Sequence, residues 1–272
     1  MPFPPPILSS DGPARSGRRL DGAAVVVTGA AGGIGSATCA RLCAEGAHVI
    51  AVDLEDEALQ ALKGRLPGDA AIELLAGDAT VAATAQRAIE TATATAGRLD
   101  GVVSIAGASG RRAGDGPVHE CTDEGWAWTL QTNLTSQFLM ARAALPVLIE
   151  RGGGSIVLLG SVLGLGGGGR HFATHAYAAA KAGTTGLARA MASYYAADGV
   201  RVNVVAPGLV ATPMSRRAQD DATVMDELGA RQPLGGIAQP DEVAGTIAHL
   251  LSPDAAHTTG AVITIDGGWL VR

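Results

Sequence analysis

The sequence predicts an open α/β fold: a doubly wound sheet of seven parallel strands with helices on both faces. Three observations predict it. Short apolar, β-branched runs alternate with longer helical patterns along the chain. The runs carry few polar residues, as strands buried on both faces require. A glycine-rich turn joins the first run to the first helix.

The elements follow in order. Ala23–Thr28 (AAVVVT) is the first strand, and Gly33–Gly46 the first helix, with Ile34, Ala37, Cys39, Leu42 and Cys43 facing inward. Ala47–Val52 is the second strand, Glu55–Lys63 a helix, Ile72–Ala76 the third strand and Ala82–Thr95 a helix. Gly101–Ile105 is the fourth strand. A long helical stretch from about Thr122 to Glu150 holds Pro146, which predicts a bend there. Ser155–Leu159 is the fifth strand, His175–Ala197 an Ala-rich helix and Arg201–Val205 the sixth strand. Helical pieces follow at Pro213–Gly229 and Pro240–Leu251, and Val262–Ile265 is the seventh strand. Right-handed crossovers then place helices on both faces.

Composition narrows the function classes. Of 272 residues, 47% are hydrophobic, enough for a large core. No Pro/Ser-rich linker divides the chain, so residues 21–272 read as one domain, preceded by a flexible N-terminal arm over residues 1–20. That arm is rich in proline and lacks the apolar core of a signal peptide; Asp11 and the prolines also fit a transit peptide poorly. The net charge of −6 argues against a nucleic-acid partner, which needs a basic surface. No apolar run is long enough for a membrane span. Three cysteines, Cys39, Cys43 and Cys121, read as reduced, buried thiols of a cytoplasmic protein. No regular ligand spacing suggests a metal.

The turn after the first strand reads Thr28-Gly29-Ala30-Ala31-Gly32-Gly33-Ile34-Gly35. Gly29 permits a tight exit; Gly33 and Gly35 let backbone approach a pyrophosphate and let helix pack on strand. The helix N-terminus then offers N–H groups to phosphate. This is a Rossmann-like nucleotide site. Asp53 stands 18 residues after Gly35 at the end of the second strand. A carboxylate there accepts from ribose hydroxyls and repels a 2′-phosphate, so the cofactor reads as NAD. Asp78 either accepts from the adenine amino group or, with Thr80, caps the following helix.

The chemistry lies at Tyr177 and Lys181, four residues apart and therefore on one helix face. Ser161 follows the fifth strand at the carboxyl edge, where open sheets bind ligands. Asn133 lies in the long preceding helix. A tyrosine at its ordinary pKa of about 10 is a poor base near neutrality. A nearby ammonium and a cationic nicotinamide favour the phenolate. Ser161 would hold the substrate oxygen, and hydride would pass between carbinol carbon and cofactor.

From Leu20 to Gly268 the chain resembles the short-chain dehydrogenase/reductase family in its NAD-using form. The resemblance rests on the turn at Thr28–Gly35, Asp53, Asn133 in Thr-Asn-Leu, Ser161 in Gly-Ser-Val-Leu-Gly, and Tyr177 with Lys181. Pro207-Gly208-Leu209-Val210-Ala211-Thr212 and Asp266-Gly267-Gly268 add to it. It implies a catalytic set of Asn133, Ser161, Tyr177 and Lys181. Asn133 would hold a water linking Lys181 to solvent, and Lys181 would also bind the nicotinamide ribose. The backbone of Val210 and the hydroxyl of Thr212 would fix the carboxamide. Ile34, Leu54, Ala79, Ala106, Gly107, Pro207 and Gly208 complete the implied cofactor contacts. A homotetramer, built as a dimer of dimers, is implied as well.

Two departures stand out. The family's Asn-Asn-Ala-Gly after the fourth strand is here Ser104-Ile105-Ala106-Gly107, so the tie that the first Asn makes is weakened. The interval from Ser161 to Tyr177 is longer than usual, and the extra residues in Gly164–His175 must bulge over the site mouth. There, Arg170, His171, Phe172 and His175 either line a substrate pocket or belong to a solvated, mobile loop. Met214–Gln232 should form a lid, with Met214, Met225 and Leu228 as apolar contacts. Arg216, Arg217 and Arg231 either bind an anionic substrate or are surface charge.

The leading expectation is an NAD-dependent secondary-alcohol dehydrogenase or ketone reductase acting on a small molecule. A 3-oxoacyl thioester reductase uses the same relay but generally prefers NADP, which Asp53 opposes. A non-catalytic NAD-binding sensor would not need the intact Asn133, Ser161, Tyr177 and Lys181. Epimerases or dehydratases on related folds tend to carry a separate substrate domain, which nothing here supplies.

Overall fold

A computed structural model describes residues 18–272. Most of the arm expected over residues 1–20 lies outside the described residues. Arg19 and Leu20 are anchored: Arg19 pairs with Glu45, and Leu20 is buried.

Seven parallel strands form one sheet in the order β3-β2-β1-β4-β5-β6-β7. They are β1 (Ala24–Thr28), β2 (His48–Asp53), β3 (Ile72–Ala76), β4 (Gly101–Ser104), β5 (Gly154–Leu159), β6 (Val200–Pro207) and β7 (Val262–Ile265). The helices are α1 (Gly33–Ala44), α2 (Asp56–Lys63), α3 (Ala82–Ala96), α4 (Asp123–Leu130), α5 (Ser136–Glu150), α6 (His175–Tyr195), α7 (Arg216–Gln219), α8 (Ala222–Arg231) and α9 (Pro240–Leu251). Among the described residues no helix is long and apolar enough to cross a membrane.

Strand alternation builds two cores. Val25 and Val27 pack with residues of α1, α2 and α9 on one face, while Val26 packs with α3, α5 and α6 on the other. All five residues of β1 are buried, which explains its lack of polar alternation. Strand order reverses between β1 and β4, the switch point where such sheets open a crevice. In register, Thr28 faces Ser104, and Ser104 faces Leu158. The segments leaving these strands therefore emerge side by side.

Two expectations need correction. The break in the long helical stretch is not at Pro146, which sits inside a continuous α5. It is a π-helical turn at Gln131–Thr135, centred on Asn133. There the Asn133 side-chain amide donates to the Thr129 carbonyl, the acceptor that an α-helix would give to the Asn133 backbone N–H. Secondly, β6 runs to Pro207, opposite Ile265; a proline at a strand end costs few ladder bonds.

Glu45 ends α1 buried between two arginines, Arg19 and Arg41. Burial alone raises its pKa, but the hydrogen bonds and charges of Arg19 and Arg41 outweigh that and hold it below the ordinary value. A lowered folded-state pKa contributes stability above the unfolded value that is lost as pH falls through the folded one. Urea titrations should therefore show Glu45→Gln less stable than wild type at pH 7. The gap should narrow as pH drops below about 4.5, the ordinary carboxylate value. A pH-independent gap would mean that packing, not charge, sets the effect.

Candidate active site at the carboxyl edge of the sheet

The glycine turn leaves β1 with Gly29 at φ +68°, and a Cβ there would lie 2.7 Å from the Ala106 nitrogen. At Gly35 a Cβ would lie 1.9 Å from the Gly29 carbonyl oxygen, so no side chain fits. At Gly33 it would meet the Thr212 methyl at 2.6 Å. The turn is thus pressed between β4's exit and the segment after β6. Helix α1 starts at Gly33 with neither a side-chain cap nor an acid in its first turn. Its first N–H groups, including those of Ile34 and Gly35, therefore have no side-chain cap and are available to an anion. This end of the sheet fits a dinucleotide.

Asp53 closes β2 and accepts from the Ala31 N–H at 2.8 Å and the Leu54 N–H at 2.7 Å. Its carboxylate is thereby fixed beside the turn and retains free lone pairs. Leu54 next to it is exposed. Asp78 accepts from the Thr80 N–H at 2.8 Å, a local turn. The expected capping role is corrected: the first residue before α3 is Val81, and no side chain caps that helix. Asp78 remains exposed, with Ala79 half-buried beside it.

Ala106 donates to the Thr28 hydroxyl at 3.3 Å, and Gly107 lies against Asn133. Ser104 is buried with its hydroxyl unpartnered, so it does not replace the tie an asparagine would make. Pro207 ends β6, and the Gly208 N–H donates to Ile265. Val210 pairs with Ala238, and Thr212 opens the turn Pro213–Ser215.

At the other end of the crevice, Ser161 begins the turn after β5, and its hydroxyl accepts from the Leu163 N–H at 3.2 Å. The Ser161 hydroxyl also faces the Tyr177 phenol. Lys181 is 1% exposed; its Nζ donates to the Leu159 carbonyl at 2.8 Å and stands 5.5 Å from the Tyr177 ring centroid. Asn133 is fully buried, gripping Ala108 through both its amide and its carbonyl oxygen. The four residues thus gather at one edge, although they come from a π-turn, a strand exit and a helix.

In the protein without cofactor, burial dominates the electrostatics of the pair. Burial pushes the Tyr177 phenol up to about 12, with Ser161 opposing the rise. Burial also pulls Lys181 down to about 7. With no countercharge, desolvation outweighs the attraction of ammonium for phenolate. Lys181 alone does not bring Tyr177 into the useful range.

Two positioning residues escaped the sequence reading. Buried Asp115 accepts from the Ala176 N–H at 3.0 Å and the Tyr177 N–H at 3.0 Å, capping α6 from 61 and 62 residues away. Thr174, directly before the helix, contributes no side-chain cap. Only the Asp-Gly-Pro at 115–117 hints at such a role. Buried Gln137 donates to the carbonyls of Asn133 (2.8 Å) and Leu159 (3.1 Å), tying the π-turn to the carbonyl that also holds Lys181.

The inserted loop is part solvated and part packed: Leu165, Gly166, Gly167, Gly169 and Arg170 are exposed, while its far end makes tertiary contacts. Phe172 packs edge-on against Trp269 at 5.3 Å, and the His171 ring lies 3.3 Å from Glu227 of α8. Val162, Leu228 and Trp269 form a small third core beneath it, joined by Met225. Leu228 and Met225 are therefore packing residues of the lid, while Met214 is exposed. His175 is the first residue of α6 and accepts from the Val118 N–H. Cys39 and Cys43 are buried, with burial raising both thiols, whereas Cys121 is only half-buried.

Comparison with known proteins finds oxidoreductases along nearly the whole chain. A family model described as enoyl-(acyl carrier protein) reductase matches residues 29–270. D-threitol dehydrogenase of Mycolicibacterium smegmatis is 38% identical over 255 residues, 93% of this chain and 95% of that protein. Cis-4-hydroxycyclohexanecarboxylate dehydrogenase of Sinomonas cyclohexanicum is 37% identical, covering 90% of this chain and 95% of its own. The structure of a short-chain type dehydrogenase/reductase from Mycobacterium ulcerans superposes with a TM-score of 0.86 at 30% identity, over 93% of this chain and 91% of that one.

Removing the α6 cap should be felt at the site. Asp115→Ala is expected to cost about 1–2 kcal/mol in urea unfolding, the range for lost N-caps. It should also lower kcat more than Asp115→Asn, which keeps one acceptor. Equal kcat in both variants and wild type would separate the cap from the site.

Proposed function

The chain belongs to the short-chain dehydrogenase/reductase family, oxidoreductases acting on CH–OH groups, and from that premise we propose that it is an NAD-dependent secondary-alcohol dehydrogenase. The observation that carries the proposal is the gathering of Ser161, Tyr177, Lys181 and Asn133 beside a glycine turn whose neighbouring acid is Asp53. Bound NAD would supply the hydride acceptor and a positive ring charge.

This chain's residues do the rest. Gly29, Gly33, Ile34 and Gly35 admit the pyrophosphate against the start of α1. Asp53, held by Ala31 and Leu54, accepts from the adenosine ribose and disfavours a 2′-phosphate. Asp78 and Ala79 border the adenine, and Ala106, Gly107, Pro207, Gly208, Val210 and Thr212 border the nicotinamide half. Ser161 orients the substrate hydroxyl. Tyr177 takes its proton, which requires the phenol to fall from about 12; the charge that arrives with the cofactor acts in that direction. Lys181 binds the nicotinamide ribose and, through the Asn133 turn, passes the proton toward solvent.

The names of the two relatives point to alcohols as substrates. A 3-oxoacyl thioester reductase remains the second reading, and Asp53 weighs against its usual NADP preference. One domain over residues 21–272 and a homotetramer complete the proposal. Phe138 and Ile149 of α5 are exposed, and α5 and α6 form an apolar groove lined by Leu145, Leu187 and Tyr195, which suits helix pairing between copies. Free cysteines suit a cytoplasmic location.

Absorbance at 340 nm over a panel of secondary alcohols and ketones tests the reading. Turnover with NAD(H) should fall by about 10²–10⁴-fold or more in Tyr177→Phe, the range for a lost general acid–base group. NADP(H) supporting turnover as well as NAD(H) would overturn the Asp53 argument. Turnover surviving in Tyr177→Phe would overturn the relay.

A further inference from the structure

Three segments that leave the carboxyl edge of the sheet converge on a single backbone carbonyl, that of His171 in the loop between Ser161 and Tyr177. Arg111, from the segment after β4, donates to it at 3.0 Å. Arg217, from α7, donates to it at 3.3 Å. We propose that Arg111 and Arg217 form a subsite for an oxyanion, a carboxylate or phosphate-type group, that the substrate carries away from its reacting carbinol. This inference rests on the dehydrogenase reading for the identity of the substrate.

The donor count is the first argument. A carbonyl oxygen has two lone pairs, and each guanidinium has five N–H donors. The His171 carbonyl is saturated by the two arginines, while most of their donors have no protein acceptor among the described residues. Neither arginine has a carboxylate partner there within salt-bridge distance. The nearby acids are already engaged. Asp115 is taken by the N–H groups of Ala176 and Tyr177, and Glu227 by Arg231 at 2.7 Å and the His171 ring.

The second argument is electrostatic. Two like charges brought to one acceptor repel each other, and an anion between them removes that cost. Burial, and then the charge of Arg217, hold the Arg111 guanidinium below its ordinary pKa, while Asp115 opposes this. Planar guanidinium forks match the paired oxygens of a carboxylate or phosphate.

Position is the third. The turn that carries Arg111 is tied to Asp115, whose N–H donates to the Gly110 carbonyl at 2.9 Å, and Asp115 grips the backbone of Tyr177. The pair therefore stands beside the start of α6, at the mouth of the crevice. Its framework is fixed: Phe172 is packed on Trp269, and Arg231 lies over the same ring while donating to Gly167. Arg111, Arg112 and Arg217 are all exposed, but among the described residues Arg112 makes no side-chain hydrogen bond, whereas the other two meet at the His171 carbonyl.

Calorimetric titration of the purified protein tests the proposal. NADH is added first, which reads the cofactor site by itself. Cyclohexanecarboxylate and inorganic phosphate are then titrated separately at low salt. At least one anion should bind the wild-type protein at one site per chain. That affinity should fall by about tenfold or more in Arg111→Gln and in Arg217→Gln, the size expected for a charged hydrogen bond. Arg112→Gln should bind as wild type does. Carboxylate binding indicates a hydroxy acid, and binding of phosphate alone indicates a phosphorylated carrier. No binding of either anion, binding that survives both substitutions, or an equal loss in Arg112→Gln would overturn the subsite. Failure of NADH to bind would instead overturn the cofactor reading, and the comparison of variants would still decide the arginine pair.

Discussion

Burying an ammonium group is costly unless it finds acceptors, and among the described residues the buried Lys181 Nζ has one. The acceptor is the Leu159 carbonyl at the end of β5. Gln137 donates to the same oxygen, so α5, β5 and α6 are tied at one atom. The surrounding glycines follow from this crowding. A Cβ on Gly107 would lie 2.7 Å from the Asn133 carbonyl oxygen and 3.5 Å from the Lys181 Nζ. A Cβ on Gly164 would lie 2.5 Å from the Lys181 backbone carbonyl carbon. A side chain at Gly107 would displace the Asn133 amide, and one at Gly164 would push on the backbone of the helix that carries Tyr177.

The same constraint links packing to chemistry. Sheet register puts the exits of β1, β4 and β5 side by side, and Asp115 then fixes the start of α6 against them. Lys181 is consequently buried and Tyr177 half-buried, and desolvation favours the neutral forms of both.

Much of this was legible in the sequence. Uninterrupted apolar runs such as Val25–Val27 announced a sheet covered on both faces, and the glycine turn marked its nucleotide end. Tyr177 and Lys181 shared a face by helical spacing alone. What escaped was whatever depends on tertiary contact. The π-turn at Asn133 arises because a side chain takes a helix acceptor, which no periodicity records. The Asp115 cap acts across more than sixty residues. The loop rich in Gly166–Gly169 left pocket lining and a solvated loop both open, because its contact between Phe172 and Trp269 joins residues almost a hundred positions apart. The motif placed Tyr177 near Lys181 and a cationic nicotinamide, but the desolvation that acts on both groups depends on burial that helical spacing does not record.

The chain has only two lysines, Lys63 and Lys181, so the central claim can be tested on one resonance. The measurement is an NMR pH titration of 13Cε-labelled lysine in the cofactor-free protein, with Lys63→Arg for assignment. The account predicts that Lys181 titrates near 7, pulled down from the ordinary value of about 10.5 by burial. A Lys181 signal that titrates at the ordinary value would show a solvated ammonium, and the buried anchor on which the site depends would not exist.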